Sequence, residues 1–170
     1  MNFPFAPACR RLFYLLALAT AGLFANACGD KEDDTDYGPI DEGIITRYIS
    51  ENNITNAQRQ PSGLYYVPTR TNPAGVRATA GRTVSVLYTG MLMDGTVFDA
   101  TSRRNNTPYR FVLGAGRVIQ GWDEGIALMR KGEKGLLLIP SAMGYGKQGS
   151  EPTIPKNAVL RFEVEVVDVQ

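Results

Sequence analysis

The chain has 170 residues, which is enough for one domain of ordinary size with shorter segments attached to it. Its formal net charge is +1, so the composition gives no electrostatic reason to expect a nucleic-acid partner. Histidine is absent, which excludes Ser-His-Asp catalysis, Cys-His catalysis and every metal site built on imidazole.

The first 27 residues have the pattern of a secretory signal peptide. Arg10 and Arg11 supply positive charge ahead of the apolar run 12–27, which ends in Ala-Asn-Ala at 25–27. A run of this length with these flanks is too short for a stable membrane span. An uncleaved anchor helix is the alternative interpretation.

Cys28 follows this run directly. Cleavage after Ala27 would remove Cys9 and leave Cys28 as the sole cysteine of the mature chain, so no disulfide could form within it. The stretch resembles the lipobox of bacterial lipoproteins, although Ala25 stands where leucine is usual and Asn26 is atypical. The resemblance implies that Cys28 is lipidated and anchors the protein to a membrane. We therefore expect a cell-envelope location at the outer membrane, on its periplasmic or surface face, with ordinary secretory cleavage as the alternative.

Residues 28–40 are predicted to be the lipidated cysteine and an acidic, flexible tether. The stretch 29–39 is rich in acidic and turn-forming residues and almost free of apolar ones, so it cannot bury enough surface to order itself. It also resembles the acid-rich export signals of some Gram-negative lipoproteins. A plain spacer is the alternative.

The segment 41–61 is predicted to contain an N-terminal helix over 41–52 and a linker. Acidic residues at 41 and 42 suit the start of a helix, because they face the positive end of its dipole. One helical face collects the apolar residues Ile44, Ile45, Tyr48 and Ile49. Because so short a helix is marginal alone, we expect this face to dock on the domain or on a partner, which leaves dimerisation through 41–52 open.

From residue 62 to 170 the pattern is that of a single β-rich domain. Strands are predicted at 63–68, 83–90, 91–100 with a turn at Asp94-Gly95, 108–114, 134–140 and 158–169. In the last strand we expect four residues to point inward: Leu160, Phe162, Val164 and Val166. A short helix is predicted at 122–129. Together these elements predict an α+β domain in which an antiparallel sheet packs one short helix on one face.

Three segments of this domain carry specific motifs: YTGMLMDGTVFDA at 88–100, FVLGAGRVIQGWDEGIALMRKGEK at 111–134 and AMGYGKQGSEPTIPKNAVLRFEVEVVDV at 142–169. In this order and spacing they resemble the FKBP-type peptidyl-prolyl cis/trans isomerases, here in a bacterial lipoprotein form. The resemblance implies an antiparallel sheet half-wrapped around the helix, with an apolar pocket between the two.

The resemblance also implies the residues of the pocket. Four match catalytic positions: Asp99, Tyr145, Phe98 and Trp122, the last as the pocket floor. Seven match substrate-binding positions: Tyr88, Tyr109, Val118, Ile119 as a backbone donor, Ile154 as an apolar flap, Phe162, and Arg104 as the basic partner of the aspartate. Arg103 is the alternative to Arg104, because the stretch between them and the next strand looks one residue longer than usual.

The activity that the resemblance implies is rotation about X-Pro peptide bonds during folding of exported proteins. It makes no covalent bond and needs no cofactor and no metal. The expected partners are proline-containing polypeptides, and macrolide ligands suit the same pocket. Two other functions stay open: a non-catalytic chaperone that binds proline segments, and a structural envelope lipoprotein.

Overall fold

The structure, a computed structural model, describes residues 35–170. The predicted signal peptide 1–27, the lipidation of Cys28 and the tether up to residue 34 lie outside the described residues. No helix within the described part has both the length and the apolar character needed to cross a membrane.

The described chain forms an α+β domain, as the sequence predicts. Its elements in chain order are α1 (Gly38–Glu51), β1 (Gln58–Arg59), β2 (Tyr65–Arg70), β3 (Thr83–Leu92), β4 (Val97–Ala100), β5 (Tyr109–Val112), α2 (Gln120–Ala127), β6 (Lys134–Ile139) and β7 (Leu160–Val169). Short 3-10 helices cover Thr101–Arg104, Ser141–Met143 and Gly146–Gln148. The two-residue strand β1 is too short to give a sequence pattern and was not predicted.

The seven strands form one antiparallel sheet, in which six follow the order β1-β2-β6-β7-β3-β4 and β5 pairs with β3. The long strand β3 has two partners on its second edge. Its first half, from Thr83 to Val86, pairs with β5, and its second half, from Thr89 to Met91, pairs with β4. The chain between β4 and β5 therefore leaves the sheet and returns to it, and this excursion supplies one wall of the site described below.

The inner face of the sheet carries the main core. The four β7 residues expected to point inward are at most 4% exposed, which confirms the alternation predicted for that strand. They pack in one cluster with Trp122 and Ile126 of α2.

Two glycines of α2 allow this helix to lie directly on β6. A Cβ added to Gly121 would lie 2.4 Å from Ile139, and one added to Gly125 would lie 2.7 Å from Leu137. No ordinary side chain fits in that space. Because the backbone of α2 comes so close to the strand, Trp122 is pressed onto the inner face of the sheet.

Helix α1 covers the outer face of the same sheet. Its Ile45 is fully buried in a second cluster formed by Val159 and by alternate residues of β2 and β6: Tyr65, Val67, Leu136 and Leu138. The open question of where this helix docks is thereby answered, because its apolar face is covered by its own domain. Ile44, Tyr48 and Ile49 of the same face are partly buried against this cluster.

The first turn of α1 differs from the sequence prediction. The helix begins at Gly38 instead of residue 41, with Pro39 in its first turn, where proline costs no hydrogen bond. Asp41 is not a solvated residue at the helix start: it is 1% exposed. Its Oδ2 accepts hydrogen bonds from the Ser141 N–H at 2.8 Å and the Ser141 hydroxyl at 2.7 Å. This buried contact ties α1 to the 3-10 helix that precedes Tyr145.

Candidate active site

A cavity of about 480 Å³ opens between α2, the inner face of the sheet and the flanking loops. This volume is in the range of small-ligand sites. Of the eleven predicted pocket residues, ten line it: Tyr88, Phe98, Asp99, Arg104, Tyr109, Val118, Ile119, Trp122, Tyr145 and Phe162. Gly116 and Arg117 also line it and were not predicted.

Ile154 is the exception among the predicted pocket residues. It is 4% exposed and packs in the main core cluster, and it is not among the residues that line the cavity. Its backbone forms an isolated bridge with Ser150. In this conformation the Ile154 side chain packs in the core, and its backbone N–H donates to the Ser150 carbonyl at 2.9 Å.

The floor of the cavity is the indole ring of Trp122. The ring is 4% exposed and stands edge-to-face against Tyr88, with centroids 4.8 Å apart, and against Phe162, with centroids 5.2 Å apart. Such perpendicular arrangements are favoured by the charge distribution of aromatic rings. The indole Nε1–H is buried and has no acceptor within residues 35–170.

The aromatic wall continues from the floor to Phe98. The Phe98 and Phe162 rings meet edge-to-face at 5.4 Å, directly over Gly90 of β3. A Cβ at Gly90 would lie 2.6 Å from Phe98 and 2.7 Å from Phe162, so glycine is required where these two rings meet. Gly90 was not singled out by the sequence analysis, because this requirement arises only when β3, β4 and β7 are brought together.

Ile119 ends the loop that leads into α2, in extended conformation with φ −61° and ψ 150°. Its carbonyl accepts the N–H groups of Trp122 at 2.9 Å and Asp123 at 3.2 Å and so begins the helix. Its own N–H meets no acceptor within residues 35–170. A backbone donor is therefore free at the cavity, at the position that the family resemblance implies.

The loop before Ile119 is held by a residue that the sequence analysis did not single out. The Asp123 carboxylate accepts the N–H of Gly114 at 2.8 Å and of Gly116 at 3.2 Å. These bonds fix the loop that carries Val118 and Ile119 onto the first turn of α2. An acidic residue in a first helical turn would have been a reasonable sequence signal for such a contact.

Three polar side chains form a network in the opposite wall. The Tyr88 hydroxyl donates to Asp99 Oδ2 at 2.5 Å. Arg104 Nη2 donates to the Tyr88 oxygen at 2.6 Å and to both carboxylate oxygens of Asp99 at 3.2 Å. The geometry decides between the two candidate arginines, because Arg103 instead donates to backbone carbonyls of β4, at 2.9 Å each.

This network sets the protonation states of the wall. Burial raises the pKa of the Asp99 carboxyl, but the Tyr88 hydrogen bond and the Arg104 charge outweigh it, so the net shift is downward. Burial, with the hydrogen bond to Asp99 second, raises the pKa of Tyr88 to about 12. Burial also raises the pKa of Tyr145, with the Asp99 charge as the smaller cause. At neutral pH the aspartate is therefore ionised and both tyrosines keep their protons.

A second cavity, of about 420 Å³, lies on the outer face of the sheet beside α1. Two of its charged lining residues, Lys134 and Glu165, form an ion pair with each other at 2.7 Å. It lacks the cluster of aromatic rings found on the inner face, so we assign the site to the inner cavity. Within residues 35–170 there is no group of three His, Cys, Asp or Glu residues arranged to hold a metal ion.

Comparison with known proteins agrees with this geometry. A family model described as FKBP-type peptidyl-prolyl cis-trans isomerase matches residues 75–167. Peptidyl-prolyl cis-trans isomerase FKBP2 of Mus musculus is 44% identical over 104 residues, which cover 61% of this chain and 74% of that protein. Peptidyl-prolyl cis-trans isomerase FKBP15-2 of Arabidopsis thaliana is 50% identical over 94 residues, which cover 55% of this chain and 57% of that protein.

Solved structures give the same result. The crystal structure of FkpA from Escherichia coli superposes with a TM-score of 0.67 at 34% sequence identity, over 78% of this chain and 61% of that one. The crystal structure of AtFKBP13 gives a TM-score of 0.63 at 32% identity, over 68% of this chain and 100% of that one.

Proposed function

Since this chain belongs to the FKBP-type peptidyl-prolyl cis-trans isomerases, we propose that it accelerates X-Pro isomerisation during the folding of exported proteins, and that the aromatic cavity is where it does so. The observation that carries this proposal is the Trp122 floor, a buried indole beneath an open cavity with a free backbone donor beside it. A proline ring fits such a surface because it is apolar and compact.

The mechanism follows from the electronic structure of the amide. Rotation about an X-Pro bond loses resonance and has a barrier of about 18–20 kcal/mol, so it takes tens to hundreds of seconds unaided. The twisted amide has less charge separation than the planar one. A cavity walled by Trp122, Phe98, Tyr88 and Phe162 therefore favours the twisted state over the planar state.

Hydrogen bonds supply the second part of the mechanism. The free Ile119 N–H and the Tyr145 hydroxyl hold the chain on either side of the proline while the amide turns. The Asp99–Arg104 pair fixes the Tyr88 ring and keeps its hydroxyl occupied. To bring isomerisation to about a millisecond, a gain of roughly 10⁴ to 10⁵, the site must lower the barrier by about 5.5–7 kcal/mol.

The sole tryptophan of the chain makes a direct test available. Titration of the purified protein with an X-Pro peptide should change the Trp122 fluorescence, because the peptide covers the floor of the cavity. The same sample should accelerate isomerisation in a protease-coupled assay and in the refolding of a proline-limited protein. Fluorescence change with no acceleration would instead support a non-catalytic chaperone, and neither effect in a folded sample would refute the proposed site.

We further propose that Cys28 is lipidated and holds the domain at the cell envelope. The small residues before Cys28 and the acidic stretch after it support this proposal. Mass spectrometry of the mature N-terminus should find residue 28 carrying a lipid, and Cys28→Ser should release the protein from the membrane fraction. An unmodified N-terminus at residue 28 would contradict the anchor.

A further inference from the structure

The cavity is lined by two arginines that differ in their surroundings. Arg104 is neutralised by Asp99 and bonded to Tyr88, as described above. Arg117 lines the cavity from the loop before α2 and is exposed. Its side chain has no ion pair and no hydrogen bond with any residue of the described chain, 35–170. The cavity thus contains one cation whose charge is not balanced by its own wall.

The acidic residues close to Arg117 in sequence have other partners. Asp123 accepts the N–H groups of Gly114 and Gly116, and Glu124 accepts the hydroxyl of Ser62 at 2.7 Å. Neither forms a salt bridge with Arg117. Among the residues that line the cavity, Asp99 and Arg104 cancel, so the remaining charge is the +1 of Arg117.

The position of Arg117 is fixed relative to the backbone donor of the site. It lies two residues before Ile119, on the loop that Asp123 holds against α2. An extended substrate advances about 3.3 Å per residue. A substrate carbonyl bound by the Ile119 N–H therefore brings the side chains of the next few residues within reach of a long, flexible arginine.

We propose that Arg117 forms a subsite for an acidic side chain within three residues of the isomerised proline, so that the enzyme favours acidic proline segments. The inference rests on the proposed function, because it assumes that substrate occupies this cavity. The guanidinium group suits the recognition of a carboxylate, since its planar N–H groups can donate two parallel bonds. Because Arg117 is exposed, the preference should be modest: about three- to five-fold in kcat/KM at low ionic strength, and smaller as salt screens the pair.

A peptide series tests the subsite. Each peptide carries one X-Pro bond with Glu, Ala or Lys placed one, two or three residues before or after the proline. With the purified wild-type protein, kcat/KM should be highest for the Glu peptide, lower for the Ala peptide and lowest for the Lys peptide at one or more of these positions. Arg117→Gln should abolish the order, and Arg117→Glu should reverse it. Arg47→Gln is the matched control, since Arg47 is an exposed arginine of α1 outside the cavity, and it should keep the wild-type order.

Two results would overturn the subsite. One is that the ratio of kcat/KM for the Glu and Lys peptides is the same in wild type and in Arg117→Gln. The other is that Arg47→Gln lowers this ratio as much as Arg117→Gln does, which would indicate a general charge effect. In both cases acceleration of the Ala peptide by the wild-type protein leaves the proposed function intact. Absence of acceleration with every peptide would overturn the proposed function itself. If Arg117→Glu does not fold by circular dichroism, Arg117→Gln alone decides.

Discussion

The polar wall of the cavity depends on the Asp99 carboxylate, which binds both Tyr88 and Arg104. We expect Asp99→Asn to lower kcat/KM about ten-fold, equivalent to roughly 1.4 kcal/mol, because the neutral amide no longer holds Arg104 and Tyr88 in place. The change in the free energy of unfolding should stay under about 1 kcal/mol, because the Arg104 and Asp99 side chains are 52% and 41% exposed. Peptide isomerase kinetics and urea denaturation measure the two quantities.

A matched control exists for this substitution. Asp168 pairs with Lys131 at 2.6 Å, and neither residue lines the cavity. Asp168→Asn removes a surface charge pair of the same kind and should leave kcat/KM unchanged. Equal activity of the two variants would contradict a role for Asp99 in the site.

Trp122 has to be tested differently, because its ring belongs both to the cavity and to the core. Replacement by alanine should lower the free energy of unfolding by about 3–5 kcal/mol, since it empties a volume bounded by aromatic rings. Loss of activity in Trp122→Ala would then report unfolding as well as chemistry. Thermal denaturation followed by circular dichroism checks this expectation, and a variant as stable as wild type would contradict the buried position of the ring.

At the scale of elements, α1 is held to the domain by a buried polar contact as well as by apolar packing. Asp41→Ala should lower the free energy of unfolding by about 1–3 kcal/mol, because it leaves the buried Ser141 N–H and hydroxyl without an acceptor. Thr46→Ala is the control in the same helix, since Thr46 is exposed and bonds only to carbonyls one turn earlier. Urea denaturation should give a clearly lower free energy of unfolding for Asp41→Ala than for Thr46→Ala.

The contact of α2 with β6 gives a second prediction at this scale. Gly121→Ala should lower the free energy of unfolding by about 1–3 kcal/mol and reduce isomerase activity, because the added Cβ pushes Ile139 away and shifts the neighbouring Trp122. Gly43→Ala in α1 is the opposite case. A Cβ there meets nothing within 4 Å, so helix propensity alone should stabilise the protein by up to about 1 kcal/mol. Equal effects of the two substitutions would refute the close approach of α2.

The fold was predictable wherever a local pattern determines the element. The alternation in β7 and the turn at Asp94-Gly95 both depend on neighbours in the sequence, and the structure has both as predicted. The start of α1 and the burial of Asp41 were not predictable in this way. They depend on Ser141, one hundred residues away, which no local pattern connects to the helix.

The candidate site was also predictable only in part. Ten pocket residues followed from motifs, because the family resemblance transfers position by position. The choice between Arg103 and Arg104 required the 3-10 helix that ends at Arg104 and turns only one of the two toward Asp99. The burial of Ile154 in the core was not predictable, because a motif gives a residue its place in the sequence and not its depth below the surface.

At the scale of the whole molecule, one sheet supports two different layers. Its inner face carries α2 and the aromatic cavity, and its outer face carries α1, so alternate residues of β2 and β6 pack in the two clusters in turn. Tyr65 and Tyr66 show the consequence. Tyr65 reaches the outer layer and donates to Glu42 of α1 at 2.6 Å, whereas Tyr66 lies in the main core, where its hydroxyl is buried without a partner in the described chain.

Buried tyrosines make the stability of the whole domain sensitive to alkaline pH. Burial raises the pKa of Tyr66 to about 12, with the Glu133 charge as a smaller cause, and Tyr88 also reaches about 12. In the unfolded chain both ionise near 10. Between these values the unfolded state has fewer bound protons than the folded state, so the free energy of unfolding falls as pH rises. Below about pH 10 both tyrosines keep their protons in the folded and the unfolded state, so they do not make the free energy of unfolding depend on pH. We therefore expect a constant urea midpoint from about pH 7 to 9 and a decline between about pH 10 and 12.

Tyr66→Phe removes a hydroxyl that has no partner in the described chain, so it should retain the stability at neutral pH and make the alkaline decline shallower. Urea titrations of both proteins at a series of pH values measure this, and an equally steep decline in Tyr66→Phe would show that Tyr66 is not the group responsible.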